Sequence, residues 1–419
     1  MATGREQTVF SHVFAVDAAT DLGRLVVLAA LLLIIAMSLE TVRGHRRETE
    51  YWVLLLLTGA GSLALIGAND LLMLFAAYLL ASIPAYALAA FAKDGLGTEA
   101  ALKYYLMGAL LGTTMLAGTA LLYAVGHATL YRALHTTLPH AAYGLVGVGL
   151  IGVLAGLLFK AGVVPAHFWV PDVTDGAPTP VAAYVTTVPK VGGLIGGYRL
   201  LHEALPGSDV NWPLLLAVTA AVTMTLGNLA AFYQSSVKRL LAYSTISQVG
   251  YLLMALAVAT RTDLAQKGLL LYVAAYAVTN LGAFAVVTEL PHARTLDDYR
   301  GLARRHPGLA AVLVVCLLGL VGTPPTGVFL GKLEIFSAAI DGGFTWLAAL
   351  AVANTVASLF YYLRWLAPLF TTTAPAPAET QTVLGHWAAG AAYTTSMLSL
   401  FLGIAGGTIL ALATGPLLR

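Results

Sequence analysis

Apolar runs long enough to cross a bilayer follow one another from Leu22 almost to the end of the chain. They lie at about 22–42, 51–68, 70–92, 101–126, 142–164, 179–203, 210–234, 240–260, 265–290, 308–341, 344–370 and 388–414. A hydrocarbon core of about 30 Å takes about 20 helical residues to span. Between the runs stand Gly, Pro and charged residues, the usual punctuation. Only 10% of the 419 residues are charged and 59% are hydrophobic, against about 25% charged in a soluble domain. Charge this sparse cannot coat a globule of this size, so lipid is the solvent for most of the surface. The runs lack the ten-residue alternation of barrel strands, and a helix satisfies its own backbone groups without water. The sequence predicts one all-α polytopic membrane domain, 1–419, with about twelve transmembrane helices. Its first twenty residues are polar and mixed, without the apolar core of a signal peptide.

Lysine and arginine give the orientation. Arg43, Arg46, Arg47, Lys93, Lys103, Lys238, Arg239, Arg294, Arg300, Arg304, Arg305 and Arg364 fall on or near alternate loops, which are expected to be cytoplasmic. The opposite loops hold only Arg5, Arg24, Arg132, Arg199, Arg261, Lys267 and Arg419. With about twelve spans, both termini are then expected on the outer face.

Two lysines break the apolar pattern inside 156–199. Lys160 follows an uncharged run from Ala141 to Phe159, and Lys190 has no ionisable neighbour other than tyrosine between Asp175 and Arg199. Arg199 is nine positions beyond Lys190, about 13 Å along a helix and near half a bilayer core. A charge at that depth costs about 2.5–3.5 kcal/mol on insertion scales. A lysine kept there has a partner, handles protons, or snorkels to a headgroup region.

Two spans look interrupted. In the first, Lys160 is followed by Pro165 and Pro171, before a polar turn expected at 172–180. In the second, GLVGTPPTGVFLGK (319–332), Pro324 and Pro325 stand ahead of Lys332. Proline removes a backbone donor, and each break frees carbonyls at membrane depth, tolerable only inside protein or beside water. Interrupted helices in two halves of a transporter point to an ion pathway; the alternative is an ordinary packing kink. Burial disfavours the charged form of lysine, so such a side chain can exchange a proton near neutral pH. His167 titrates in that range without help. Tyr272 and Tyr276, four apart on one helical face, are placed to order water between such groups or simply to pack.

Other chemistry is harder to place. A single cysteine, Cys316, excludes an internal disulfide and a cysteine-ligated iron–sulfur cluster within this chain. The ten histidines show no metal-ligand spacing. GVGLIG (147–152) is a literal GxGxxG without strand–turn–helix context, and its glycines, like those of GGLIGG (192–197), suit close helix approach. TTTAPAPAET (371–380) reads as a short proline-rich linker. No block of basic residues suggests nucleic acid.

Five stretches carry a resemblance: TEAALKYYLMGAL (98–110), FKAGVVPAHFWVPDVTDGAPTPVAAY (159–184), GNLAAFYQSSVKRLLAYSTISQVGYLLMAL (227–256), YVAAYAVTNLGAF (272–284), and YRGLARRHP (299–307) with GLVGTPPTGVFLGK. In these the chain resembles the antiporter-like membrane subunits of respiratory complex I, the NADH:quinone oxidoreductase, and among them the subunit N type. Bacterial members carry about two more spans ahead of the point where this chain begins. The resemblance implies two inverted repeats, about 50–203 and 210–370, each with a broken helix, then a C-terminal helix at about 388–414. It also implies a row of proton-carrying residues at the midplane. By position Lys160, His167, Lys190 and Lys332 match members of that row, and Lys103 matches a family lysine near a cytoplasmic loop. It implies a multi-pass protein of the cell (inner or plasma) membrane, bound to lipid and to other membrane subunits of the complex. The expected translocase has no activity in this chain alone. No cofactor is expected here; NADH, FMN, iron–sulfur clusters and quinone belong to partner subunits. Two other readings use the same module: a subunit of a sodium/proton antiporter or hydrogenase-type complex, or a scaffold paralogue that moves no protons.

One departure from the family stands out. Its members carry a glutamate in an early membrane helix, paired with the first lysine, just ahead of a Ser-x-Pro. Here the stretch reads LFAAYLLASIP (74–84), and the matching position is Leu79. Lys160 is therefore expected to lack a charged partner. Asp70 is nine residues away and Glu99 sits by a loop.

Overall fold

The computed structural model describes residues 7–371, 385–408 and 417. The proline-rich stretch beyond Thr371, Arg5, Arg419 and the expected end of the last span at 409–414 lie outside the described residues. The chain opens with a small antiparallel hairpin, β1 (Gln7–Val9) and β2 (Phe14–Val16). Sixteen α-helices follow among the described residues. They are α1 (Ala18–Val42), α2 (Glu48–Gly67), α3 (Leu71–Ala89), α4 (Gly95–Gly126), α5 (Tyr131–Thr137), α6 (Tyr143–Ala161), α7 (Trp169–Gly176) and α8 (Thr179–Ala204). Then come α9 (Trp212–Ala231), α10 (Val237–Ala257), α11 (Leu264–Glu289), α12 (Leu302–Arg305), α13 (Pro307–Val321), α14 (Gly327–Asp341), α15 (Thr345–Leu369) and α16 (Trp387–Ile404). The hairpin and α5 were not expected from the apolar pattern, because neither is long or apolar enough to register in it.

Short polar side chains start several helices, as capping requires. Asp17 accepts from Thr20 N, Asp70 from Leu72 N and Met73 N, Asp94 from Gly97 N and Ser236 from Arg239 N. Ten helices among the described residues are long and apolar enough to cross a membrane. Two of the expected spans are not among these ten. The first, 179–203, is α8, which is long enough but carries Lys190, Arg199 and Glu203. The second, 308–341, is divided into α13 and α14.

The expected polar turn at 172–180 is corrected. Residues 169–176 form α7, and Pro171 sits in its first turn, where proline's missing N–H has no helical partner to lose.

The charged helix is hidden by its neighbours. Helices α8, α10 and α11 are buried along almost their whole length, while α1, α4, α9 and α15 turn Leu25, Leu110, Leu229 and Phe360 outward. This is the inside-out pattern of a bundle in lipid: apolar outside, polar residues sheltered at the centre. Glycine sets a close approach between α4 and α6. A Cβ on Gly118 would lie 2.5 Å from Gly149 O, and one on Gly152 would lie 2.8 Å from Gly118 Cα, so the GxGxxG stretch serves helix packing.

One ion pair ties the first helix to the core. Arg199 on α8 is fully buried, and its two terminal nitrogens each lie 2.8 Å from an oxygen of Asp17. It also donates to Thr20 Oγ1 at 3.0 Å and Ile66 O at 3.4 Å. Arg199 was expected near a loop; its planar fork instead finds a buried bidentate partner. Removing one partner of a buried pair costs about 3–5 kcal/mol. Asp17→Ala is therefore expected to lower the melting temperature of the membrane complex or the fraction assembled, with Asp17→Glu less harmful. Unchanged melting in Asp17→Ala would show that the pair is not a structural clamp.

Candidate functional site

Both interrupted helices end in the same way. Helix α6 stops at Ala161 because Gly162 turns left-handed, at φ 79°, and returns its N–H to Leu158 O and Phe159 O. Helix α13 stops at Val321 because Gly322 does the same, at φ 92°, onto Leu318 O and Gly319 O. A proline with a cis bond lies three residues past each glycine, Pro165 and Pro325. The last carbonyls of a helix have no intrahelical donor, and here they end inside the bundle.

Lysines fill that need. Lys190, from the middle of α8, donates to Ala161 O at 2.7 Å. Its amine stands 5.6 Å from the centre of the Trp169 ring, and Trp169 is itself fixed by its indole N–H on Phe159 O. A Cβ at Gly162 would sit 3.1 Å from the Lys190 amine and 2.7 Å from Val170, so both conformation and space require glycine. Lys332, from α14, donates to Val321 O at 2.8 Å, with Leu320 O and Thr355 Oγ1 each at 3.4 Å. Its amine lies 4.3 Å from the Tyr251 ring centre, a cation–π distance.

Lys160 turns the other way, towards α3. It donates to Ala81 O at 2.6 Å and to Ser82 Oγ at 2.9 Å, and is fully buried. Leu79, three residues before Ser82, is half-buried. Helix α3 therefore faces the first lysine as expected, but offers it neutral acceptors. Among the described residues none of these three lysines forms an ion pair. Both acids considered as substitutes are occupied elsewhere: Asp70 caps α3, and Glu99 pairs with Lys103. An amine keeps N–H donors in either protonation state, so the same neutral partners serve the charged and the neutral form.

The remaining expected residues divide. His167 lies between α6 and α7, nearly buried, with its Nδ1 lacking a protein partner. Tyr272 and Tyr276 are both buried and both bonded across the bundle: Tyr272 to Gln248 Oε1, Tyr276 to Thr186 O at 2.7 Å and Thr245 Oγ1 at 3.1 Å. Lys103 is set apart from the buried row. It is half-exposed and pairs with Glu99 at 2.8 Å and Asp172 at 2.7 Å. Asp172 also holds Arg239 at 2.9 Å, so this cluster joins α4, α7 and α10. Ser82, Gln248, Asn280 and Thr187 join the site without having been singled out. Isolated amides and hydroxyls inside apolar runs, such as TISQVGY and AVTNLG, were the available signal.

The match to known proteins agrees with this geometry. The family described as NADH:quinone oxidoreductase/Mrp antiporter, TM, matches residues 68–358. That defines the class: antiporter-like membrane subunits. NADH-quinone oxidoreductase subunit N 1 of Streptomyces griseus is 57% identical over 407 residues, covering 97% of this chain and 85% of the relative. The subunit N of a Mycobacterium species is 49% identical over 411 residues, covering 98% and 87%. A chain of respiratory complex I from Thermus thermophilus, solved with bound aureothin, superposes with a TM-score of 0.84 at 32% identity, covering 98% of this chain and 90% of its own length. A chain of the Mrp complex from Dietzia shares the fold, with a TM-score of 0.85 at 22% identity, covering 96% and 83%. The chain belongs to the subunit N family of NADH-quinone oxidoreductase.

Leu79→Glu tests the neutral surroundings of Lys160. It places a carboxylate one turn from Ser82, and a nearby opposite charge alters a lysine's titration. The pH profile of proton transport by the assembled complex is expected to move. An unchanged profile would show that a charged partner for Lys160 does not control this subunit.

Proposed function

We propose that this chain carries protons along Lys160, Lys190 and Lys332, with His167 linking the first two through water. Tyr272 and Tyr276 order the path toward the third, and Lys103 stands at the entry end. As a subunit N, the chain is a proton-translocating membrane subunit of a complex I-type NADH:quinone oxidoreductase, and it works beside the other membrane subunits of that complex. The observation that carries the residue assignment is the pairing of Lys190 and Lys332 with the carbonyls at two severed helix ends. Among the described residues, each amine is buried, uncompensated by an acid and held by neutral oxygens. Such a site can gain or lose a proton with no partner ion to rearrange.

The two-repeat reading, about 50–203 and 210–370, is supported by helix order. Helices α2, α3, α4, α6–α7 and α8 are followed by α9, α10, α11, α13–α14 and α15, with a left-handed glycine at each break. The orientation, basic loops in the cytoplasm and both termini outside, is supported by the gathering of Lys103, Arg239 and Lys238 around α7 at one end. NADH, FMN, iron–sulfur clusters and quinone are assigned to other subunits of the complex. The antiporter reading is not favoured, because near-full-length relatives at 57% and 49% identity are named subunit N, while the likeness to the Mrp chain extends to fold alone.

Lys190→Met keeps the length and apolar stem of the side chain and removes its amine. The mutant complex is expected to assemble, and the protons moved per NADH oxidised in membrane vesicles are expected to fall severalfold. Normal pumping by an assembled mutant would refute the role of Lys190. Separately, the purified chain, free of other subunits, is expected not to reduce quinone with NADH. Such activity in the isolated chain would overturn the division of labour.

A further inference from the structure

Gln248 sits mid-way along α10, fully buried, at the point where the two sides of the polar centre meet. Its Nε2 donates to Leu320 O at 2.8 Å, and its Oε1 accepts from the Tyr272 hydroxyl. Leu320 O is also 3.4 Å from the Lys332 amine. One carbonyl at the end of α13 therefore receives both the amide and the lysine. On the other side, Tyr276 lies one turn from Tyr272 on α11 and is bonded to α8 through Thr186. Asn280 donates to Thr186 Oγ1 at 3.2 Å and to Thr187 Oγ1 at 2.9 Å. Thr187 is one turn ahead of Lys190 on α8.

The direction of these bonds is fixed by chemistry. Leu320 O can only accept, so the amide must present its NH₂ there and its oxygen to Tyr272. The Tyr272 hydroxyl must then donate to Gln248. Donors run from Tyr272 through Gln248 and end on Leu320 O, and Lys332 donates into the same carbonyl. A carboxamide is neither acid nor base near neutral pH, and a carbonyl that already receives two donors passes nothing on.

We propose that Gln248 is a positioning residue for Lys332. It holds the Leu320 carbonyl in place against the lysine, and it interrupts proton passage between the Lys190 side and Lys332 until its carboxamide turns away from Tyr272. This rests on Lys190 and Lys332 being proton carriers, and it adds a stop between them.

The test uses the assembled complex in closed membrane vesicles, with protons moved per NADH oxidised, resting proton permeability and the pH profile of transport as readouts. Gln248→Leu removes both bonds without adding charge. It is expected to lower the proton yield and raise resting permeability severalfold. Gln248→Glu puts a titratable group at the stop and is expected to add an inflection to the pH profile. A role in packing alone would lower assembly, leave the yield of the assembled fraction intact and add no inflection. Unaltered yield, permeability and pH profile in both variants would overturn the proposal. Where neither variant assembles, Tyr272→Phe decides. It deletes one hydroxyl and leaves the Leu320 bond, and an unaltered yield and permeability in it would also overturn the proposal. Lys332→Met, run alongside, separates the two levels. If it lowers proton transport while the Gln248 variants behave as wild type, only the stop is wrong. If it leaves transport intact, the proton-carrier reading falls, and the stop with it.

Discussion

A lysine amine resting on the carbonyl end of a severed helix is the contact on which the centre of this protein depends. Two helices stop inside the bundle, each at a left-handed glycine. Their terminal carbonyls lie where no water is guaranteed, and an unsatisfied carbonyl there costs several kcal/mol. Lys190 and Lys332 remove that cost. The carbonyls in turn give each amine polar partners that ask for no counter-charge. The negative end of a helix dipole adds to the attraction whenever the amine is charged. Break and lysine thus stabilise each other, and either alone would be a liability in a membrane interior.

The rest of the fold supports that arrangement. Helix α8 has to hold Lys190 and Arg199 away from lipid, and it does so by being surrounded. The lipid-facing helices are apolar outside and contribute little chemistry. Helices α10 and α11 bring Gln248, Tyr272, Tyr276 and Asn280 between the two breaks. Helix α7 is short and is pinned by Asp172 between Lys103 and Arg239. The second half of the first interrupted helix is therefore fixed from outside by charge, while its first half is fixed from inside by packing.

Much of this was legible in the sequence, for a physical reason. Apolar length sets a span almost without ambiguity, so eleven of the twelve expected runs correspond to one long helix each; the twelfth, 308–341, is the broken pair. Proline marked both interruptions, and lysine in an apolar run marked the buried amines. Pro171 misled because the same residue that ends a helix also begins one well. The bidentate pairing of Asp17 with Arg199 joins residues 182 positions apart, and no local pattern encodes such a distance. Gln248 and Asn280 escaped notice for a related cause. A single amide in an apolar run has no periodicity, and its importance appears only once the helices beside it are in place.

The neutral surroundings of Lys160 have a consequence for the order of events. Lys160 and Lys190 meet at the end of α6: Lys160 belongs to its last turn, and the Lys190 amine rests on the carbonyl of the next residue, Ala161. Leu79 supplies no negative charge, and the acceptors present are a carbonyl and a hydroxyl. A positive charge on one amine then raises the energy of a second charge close by, and little in the low-dielectric interior offsets it. On the proposed proton path, the two sites would then fill in turn rather than together. On that reading the pair is a single-occupancy queue, in which a newcomer is admitted when its predecessor has moved on.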